Sequence, residues 1–237
     1  MDSLLATLEW LSVRSTDNRV HARSSSSPSV NRVFLESLQE RGRGRAEYIL
    51  RFSDGASFCI PTDYAHTLNL SEGEEFTEEE RELLRYNAEL LGAYRKGLEL
   101  AARSEHCRAA LQRKLEQRGF SAEASLASVD RLTEEGAVDD RRYAEMWAAD
   151  RLRRRPASHS YICAELRSRG VDATDAEAAL NQIADTDRAL IDQACLRAAT
   201  KLSGRYAQEQ NLIQALLKRG FSIADIRGSL NELSHKD

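Results

Sequence analysis

A helical pattern of apolar and polar positions recurs three times in the C-terminal part of the chain. In each copy, apolar residues at positions i and i+4 mark one face of a helix, and an Arg-Gly pair follows. Glycine after the last turn favours the left-handed conformation that ends many helices. The glycines of the three copies are 51 and 50 residues apart. The aligned segments are Leu111–Ser121, Ile162–Asp172 and Leu212–Ser222.

Each glycine is followed by a pattern that predicts a further helix. Ser121, Asp172 and Ser222 are suited to cap its first turn. Apolar pairs then follow ten and thirteen residues after the glycines: Val129 and Leu132, Leu180 and Ile183, Leu230 and Leu233. A longer helix precedes each copy, over residues 77–103, 140–155 and 187–202. The pattern therefore predicts three three-helix modules, over residues 77–136, 137–185 and 186–237, in an elongated and curved array.

The segment before these modules predicts a small β-rich unit over residues 30–76. Tyr48–Phe52 and Ala56–Ile60 are short apolar runs with Ser53-Asp54-Gly55 between them, an arrangement typical of a hairpin. Val33–Leu35 predicts the start of another strand. Residues 1–29 hold one short apolar patch and a serine run, so we expect a flexible extension. The predicted fold class is mainly α, with tandem three-helix repeats preceded by a small β-hairpin unit.

The amino-acid composition favours a protein with a buried core over a membrane protein. The 237 residues are 41% hydrophobic and 30% charged, with a net charge of −4. This balance allows a buried core, and no apolar run reaches the roughly 18 residues of a membrane span. The N-terminus also lacks the basic start of a secretory signal. We therefore expect a cytoplasmic protein with no membrane partner.

Four isolated cysteines predict reduced thiols: Cys59, Cys107, Cys163 and Cys195. His106 precedes Cys107, but neighbouring residues on a helix point about 100° apart and no further ligands lie nearby in the sequence. We expect neither a metal nor a cofactor. The chain also lacks the nucleophile elbow and the phosphate-binding glycine loop of common enzyme classes. We therefore predict no catalytic residues and no enzymatic activity.

Two adjacent carboxylates, Asp139 and Asp140, open the second module. Paired carboxylates serve acid–base or metal chemistry, but no second carboxylate or histidine cluster accompanies them in the sequence. We favour a structural interpretation. One aspartate caps a helix, the other lies in its positive first turn, and Tyr143 and Trp147 face the core.

Arginines are concentrated at the end of the helix that these aspartates begin. The cluster comprises Arg151, Arg153, Arg154, Arg155, Arg167 and Arg169, with Glu165 as the one acidic residue among them. A solvated helix end is one interpretation. We favour binding to phosphate or to an acidic groove, because four arginines within five residues cover more than one helix face. Candidate secondary contacts are Arg113, Lys114, Arg118, Lys218 and Arg219.

A second basic stretch lies before the predicted hairpin. Arg41, Arg43 and Arg45 alternate there with glycines, which let the backbone approach a polyanion closely. An ordinary surface loop explains the stretch equally well.

The run Gly136–Ala144, together with the spaced Arg-Gly copies, resembles the RecX family, whose members regulate the bacterial recombinase RecA. The family pattern is a glycine, two apolar residues, Asp-Asp, two variable places and Tyr-Ala, which Asp139, Asp140, Tyr143 and Ala144 match. Leu98-x-x-Ala101-x-Arg103-Ser104 and Leu111-x-x-Lys114-Leu115 are also similar to the first module of the family. The resemblance covers residues 33–233. The chain departs from it at Pro156–Ser160, where members often carry Lys-Gly.

The resemblance implies a protein that binds along the helical groove of the RecA filament on single-stranded DNA. It further implies suppression of the RecA ATPase and of strand exchange, and so a role in regulating homologous recombination, DNA repair and the SOS response. The alternative is a DNA-binding protein whose modules act as helix-turn-helix units. A structural scaffold for another protein is the third class. We expect a monomer, with weak direct DNA binding compatible with the first two classes.

Overall fold

The computed structural model describes residues 32–41, 46–206 and 208–234. These residues form a small antiparallel sheet followed by a series of helices. The expected extension over residues 1–29 lies outside the described residues, as do Arg43 and Arg45 of the glycine-spaced basic stretch. Arg41 is described, and its guanidinium forms an ion pair with Glu47 at 3.1 Å.

The sheet contains the predicted hairpin. Its strands are β1 (Arg32–Glu40), β2 (Glu47–Phe52), β3 (Ser57–Pro61) and β4 (Glu75–Thr77), in the antiparallel order β3-β2-β1-β4. Strands β2 and β3 pair Tyr48 with Ile60 and Leu50 with Phe58. Gly55 turns the chain between them with a φ of 86°. The hairpin prediction is confirmed.

Strand β4 is an element that the sequence pattern does not predict. Phe76 pairs with Val33 of β1, and Glu75 forms an ion pair with Arg32 at 2.7 Å. The helix predicted over residues 77–103 therefore begins after this strand. Thr77 caps it, because the hydroxyl of Thr77 accepts a hydrogen bond from the backbone N–H of Glu80 at 3.2 Å.

Helices make up most of the described chain. Their bounds are α1 (Thr62–Thr67), α2 (Glu78–Arg103), α3 (Arg108–Glu116), α4 (Ala122–Glu134), α5 (Asp140–Arg154), α6 (His159–Arg169), α7 (Ala173–Thr186), α8 (Arg188–Ser203), α9 (Glu209–Leu217) and α10 (Ile223–Ser234). The three long predicted helices, α2, α5 and α8, begin and end within one residue of the prediction. Within the described ranges, none of the helices is both long and apolar enough to cross a membrane.

The three Arg-Gly pairs form corners between successive helices, and their glycines adopt the same conformation. Gly119, Gly170 and Gly220 have φ angles of 93°, 100° and 82°, in the left-handed region that glycine tolerates. The predicted cap follows each of them. The capping bonds run from the backbone N–H of Ala124 to Ser121 (3.2 Å), of Thr174 to Asp172 (2.8 Å) and of Asp225 to Ser222 (3.1 Å). The mainly helical fold with a repeated helix pair is confirmed.

The chain divides into two compact units. Of the described residues, the first contains those up to Glu99 together with Leu115–Arg131, and the second contains Leu100–Lys114 and those from Leu132 onward. These units do not follow the repeat boundaries. The five-segment division expected from the sequence therefore stays a prediction.

Each unit has its own buried core. In the first, the sheet packs on α2 through fully or almost fully buried side chains that include Leu35, Phe52, Leu90 and Leu91. In the second, one cluster joins α5, α6 and α7 and includes Leu152, Leu166 and Leu180. A further cluster joins α8, α9 and α10 and includes Cys195, Leu216 and Ile226.

Candidate partner-binding site

Asp139 and Asp140 each hold the start of a helix. The carboxylate of Asp139 accepts a hydrogen bond from the backbone N–H of Arg142 at 2.9 Å, at the N-cap of α5. The carboxylate of Asp140 accepts one from the backbone N–H of Arg108 at 2.7 Å, at the start of α3. Burial raises the pKa of Asp140 above its ordinary value, and the bond from Arg108 opposes this only in part. The two carboxylates therefore serve the ends of two different helices.

The remaining motif residues pack in the core of the second unit. Tyr143 is 8% exposed and Ala144 is fully buried. Trp147, one turn later on α5, packs partly buried against the same cluster. The guanidinium of Arg169 lies over the Trp147 ring, 4.7 Å from its centroid, so this arginine is engaged within the unit.

Arg151 differs from the other arginines at the end of α5. Its side chain is only 17% exposed, and its Nε atom lies 2.8 Å from a carboxylate oxygen of Glu165 on α6. Its guanidinium lies 5.3 Å from the centroid of the Tyr161 ring. Although burial opposes the charged form, these contacts raise the pKa of Arg151. Arg151 thus links α5 to α6, and the interpretation of the whole cluster as a solvated helix end is wrong for this residue.

The next three arginines face solvent. Arg153, Arg154 and Arg155 are all exposed. The side chain of Arg154 is 76% exposed, and its Nε atom lies 2.8 Å from a carboxylate oxygen of Asp150. Arg154 follows Arg151 by three residues, which places it one turn further along the same side of α5, and Arg155 is the extended residue that ends the helix.

The two arginines of α6 have different surroundings. Arg167 is exposed and lines a cavity of about 180 Å³ with His159, Cys163 and Glu177. The backbone carbonyl of Arg169 accepts a hydrogen bond from the Arg113 guanidinium at 2.9 Å. Arg113, a predicted secondary contact, therefore holds the end of α6.

The other secondary candidates fall in different places. Lys114 has its Nζ atom 3.3 Å from Nε2 of His106 in the second unit. Arg118 lies in the first unit. Lys218 and Arg219 are exposed at the corner between α9 and α10. The hydroxyl of Ser158 donates a hydrogen bond of 2.6 Å to the carbonyl of Arg219, which brings this corner to the first turn of α6.

The loop at which the chain departs from the family pattern has a structural role. Ser158 caps α6 by accepting a hydrogen bond from the backbone N–H of Tyr161 at 3.3 Å. The hydroxyl of Ser160 donates to the carbonyl of Gly220 at 3.3 Å. The two serines therefore hold the α9–α10 corner at the start of α6.

A cysteine–histidine pair in the same repeat was not anticipated from the sequence. Sγ of Cys163 lies 3.8 Å from Nδ1 of His159, one turn earlier on α6. Burial raises the pKa of the Cys163 thiol, which keeps it in the neutral, weakly nucleophilic form. Within the described ranges, no group of three or more His, Cys, Asp or Glu side chains is arranged to hold a metal ion.

Tyr161 is the site residue that sequence reasoning missed. It is 48% exposed beside the arginines, whereas the buried stripe of α6 consists of Ile162, Cys163 and Leu166. A large aromatic residue off the apolar stripe of its helix is a signal that the sequence does contain.

Known proteins are similar to this chain in sequence. Residues 139–180 match the family model described as RecX, second three-helix domain. The regulatory protein RecX of Treponema pallidum (strain Nichols) is 36% identical over 132 residues, which cover 55% of this chain and 79% of that protein. The chain belongs to the RecX family. The RecX of Chlorobium phaeobacteroides (strain BS1) is 28% identical over 141 residues, which cover 60% of this chain and 93% of that protein.

Solved RecX structures share the fold of this chain. A crystal structure of regulatory protein RecX matches with a TM-score of 0.64 and 19% identity, over 82% of this chain and 97% of that one. RecX from Lactobacillus salivarius matches with a TM-score of 0.52 and 23% identity, over 62% of this chain and 97% of that one. The segment that matches the second three-helix domain of the family, residues 139–180, includes Asp139, Arg151 and Tyr161.

Proposed function

We propose that this RecX-family chain regulates the RecA recombinase by binding the RecA filament on single-stranded DNA. Bound there, it suppresses the ATPase and strand-exchange activities of RecA and so regulates DNA repair. The relatives that carry the name regulatory protein support a regulatory role. The chain acts by binding and not by catalysis, as a cytoplasmic monomer without a cofactor.

One surface of the chain supports this proposal more than any other. Arg153, Arg154 and Arg155 are exposed at the end of α5, and the backbone carbonyl of Arg219 is bonded to Ser158, three residues after Arg155. The chain segments that carry these basic residues therefore lie close together in the fold. Such a surface attracts an acidic groove over a Debye length of about 10 Å near 0.1 M salt.

ATP turnover by RecA on single-stranded DNA tests the proposal. The parent should suppress turnover, and the triple variant Arg153→Glu, Arg154→Glu, Arg155→Glu should fail to do so. Its matched control reverses three exposed arginines elsewhere, Arg51→Glu, Arg141→Glu and Arg205→Glu, and should inhibit like the parent. Both variants change the net charge equally, so a difference between them reports the location of the charges.

One outcome would contradict the proposed function, and another would contradict only the surface assigned to it. A parent that leaves RecA turnover unchanged, yet binds DNA in a salt-sensitive way, would favour the DNA-binding alternative. Equal inhibition by the triple variant and the parent would show that the arginines at the end of α5 are only a solvated helix end.

A further inference from the structure

Tyr161 is an exposed aromatic residue that the core does not require. It is the third residue of α6 and is 48% exposed, while neighbouring Ile162 is fully buried. Large aromatic side chains carry much of the energy of protein interfaces, because they bury a large area at a low cost in conformational entropy. An exposed tyrosine next to arginines therefore has the composition of an interface anchor.

The ring of Tyr161 is held in place before any partner binds. The guanidinium of Arg151 covers the ring at 5.3 Å from the centroid, and Glu165 holds that guanidinium at 2.8 Å. Tyr161 and Glu165 are four residues apart, so both lie on the side of α6 that meets Arg151. A ring fixed in this way loses little rotamer entropy on binding, which increases its contribution to affinity.

The charges around the ring favour a protein partner over a nucleic acid. Arg154 lies one turn beyond Arg151 on the same side of α5, and Arg155 follows as the first residue after the helix. Two carboxylates also belong to this surface, because Glu165 pairs with Arg151 and Asp150 lies 2.8 Å from Arg154. Nucleic-acid backbones are contacted mainly through basic side chains, whereas protein interfaces commonly combine an aromatic centre with a rim of mixed charge, as around Tyr161.

We propose that Tyr161 is the apolar anchor of this arginine surface and that its ring enters an apolar pocket rimmed by carboxylates on a protein partner. This inference rests on the proposed function, in which that partner is the RecA filament. The arginines attract the filament from a distance, and the tyrosine supplies the contact that slows dissociation.

Inhibition of the RecA ATPase by Tyr161 variants of the full chain tests the anchor. Tyr161→Ala should raise the concentration required for half-inhibition by about tenfold or more, as expected for truncation of a central interface residue. Tyr161→Phe, which keeps the ring, should stay close to the parent. Met146→Ala is the matched control, since Met146 is 50% exposed on α5 but five residues before Arg151, about 140° around the helix.

Two further measurements identify the reason for any loss. The thermal midpoint of each variant shows whether it is folded, and Tyr161→Gln repeats the test with a good helix former should the alanine variant be less stable. Affinity for single-stranded DNA alone, from fluorescence anisotropy, should be the same for Tyr161→Ala and the parent. An equal loss of DNA affinity would show that the ring stacks on a base and would overturn the proposal.

Failure of this inference can be told apart from failure of the proposed function. A folded Tyr161→Ala variant that inhibits like the parent, while the triple arginine variant does not inhibit, would overturn only the role of Tyr161. A parent without any effect on RecA would overturn the proposed function itself.

Discussion

The hydroxyl group of Ser158 donates a hydrogen bond of 2.6 Å to the backbone carbonyl of Arg219, so the second helical repeat holds a helix end of the third. The thiol of Cys107 stands in the same relation to the carbonyl of Arg169, at 3.5 Å. Cys107 and Ser158 each precede a helix, and Arg169 and Arg219 each precede a corner glycine. Equivalent positions of successive repeats therefore form the same contact twice. The hydroxyl of Ser158 is a stronger hydrogen-bond donor than the thiol of Cys107.

Replacement of Ser158 tests this junction. We expect Ser158→Ala to lower the free energy of unfolding by about 2 kcal/mol, because it removes both the cap of α6 and the bond to Arg219. Ser222→Ala removes only the cap of α10 and should lower the free energy by about 1 kcal/mol. Urea unfolding followed by circular dichroism measures both. Equal losses would show that the Arg219 contact adds nothing.

Alanine substitutions at Gly119 and Gly170 distinguish the cost of a left-handed backbone from the cost of a steric clash with a neighbouring helix. Gly119 and Gly170 both have a left-handed backbone, which costs another residue about 1 to 2 kcal/mol. A Cβ atom at Gly170 would also lie 2.4 Å from Cβ of Ala109, whereas one at Gly119 meets no described atom within 4 Å. Gly170→Ala should therefore lose about 1 to 3 kcal/mol more than Gly119→Ala.

A double-mutant cycle with Ala109→Gly checks the cause of that difference. Removal of the Ala109 methyl should relieve the crowding at position 170, so the cycle should give a coupling of about 1 kcal/mol or more. Thermal unfolding of the four proteins measures it. Additive effects would show that the two positions do not touch in solution.

Local signals in the sequence predicted the helices of the fold well. The glycine corners and the caps at Ser121, Asp172 and Ser222 act within a few residues of the chain, so their spacing determines where helices begin and end. Strand β4 escaped prediction because its pairing is remote: Phe76 lies opposite Val33. An acidic stretch before a helix gives no local sign of such pairing.

The sequence predicted which residues gather at the candidate site, but not how their side chains are arranged. Arg151 and Arg154 look equivalent in the sequence, yet one is covered by α6 and the other is open to solvent. The difference depends on which side of α5 meets Glu165 and Tyr161, and only the packing of the two helices determines that. The meeting of the Arg219 corner with Ser158 is likewise a tertiary contact with no local signal.

Alanine substitutions at Arg151 and Arg154 should reveal their different roles. Arg151→Ala should lower the free energy of unfolding by about 1 to 3 kcal/mol, because it leaves the partly buried Glu165 without its ion pair and uncovers the Tyr161 ring. Arg154→Ala should change it by less than about 0.5 kcal/mol, since exposed ion pairs contribute little. Guanidinium chloride unfolding distinguishes the two. Equal effects would contradict the linking role of Arg151.

The carboxyl group of Asp140 should make stability depend on pH in an unusual direction. Burial raises the pKa of Asp140 above its ordinary value of 3.8, and the bond from Arg108 only partly offsets this. The folded state therefore binds this proton more tightly than the unfolded chain does. Between pH 3.8 and the folded pKa, the folded state holds more of this proton than the unfolded chain does. The contribution of Asp140 to the free energy of unfolding therefore falls as the pH rises through that range.

Asp140→Asn should remove that pH dependence while keeping an oxygen that accepts the hydrogen bond from Arg108. At pH 7 the variant should be at least as stable as the parent, and its advantage should shrink as the pH falls toward 3.8. Urea unfolding at a series of pH values measures the difference. The control is Asp139→Asn, expected within about 0.5 kcal/mol of the parent at pH 7, because asparagine caps a helix as well as aspartate does. A less stable Asp140→Asn variant at pH 7 would show instead that the ionised carboxylate of Asp140 stabilises the starts of α3 and α5.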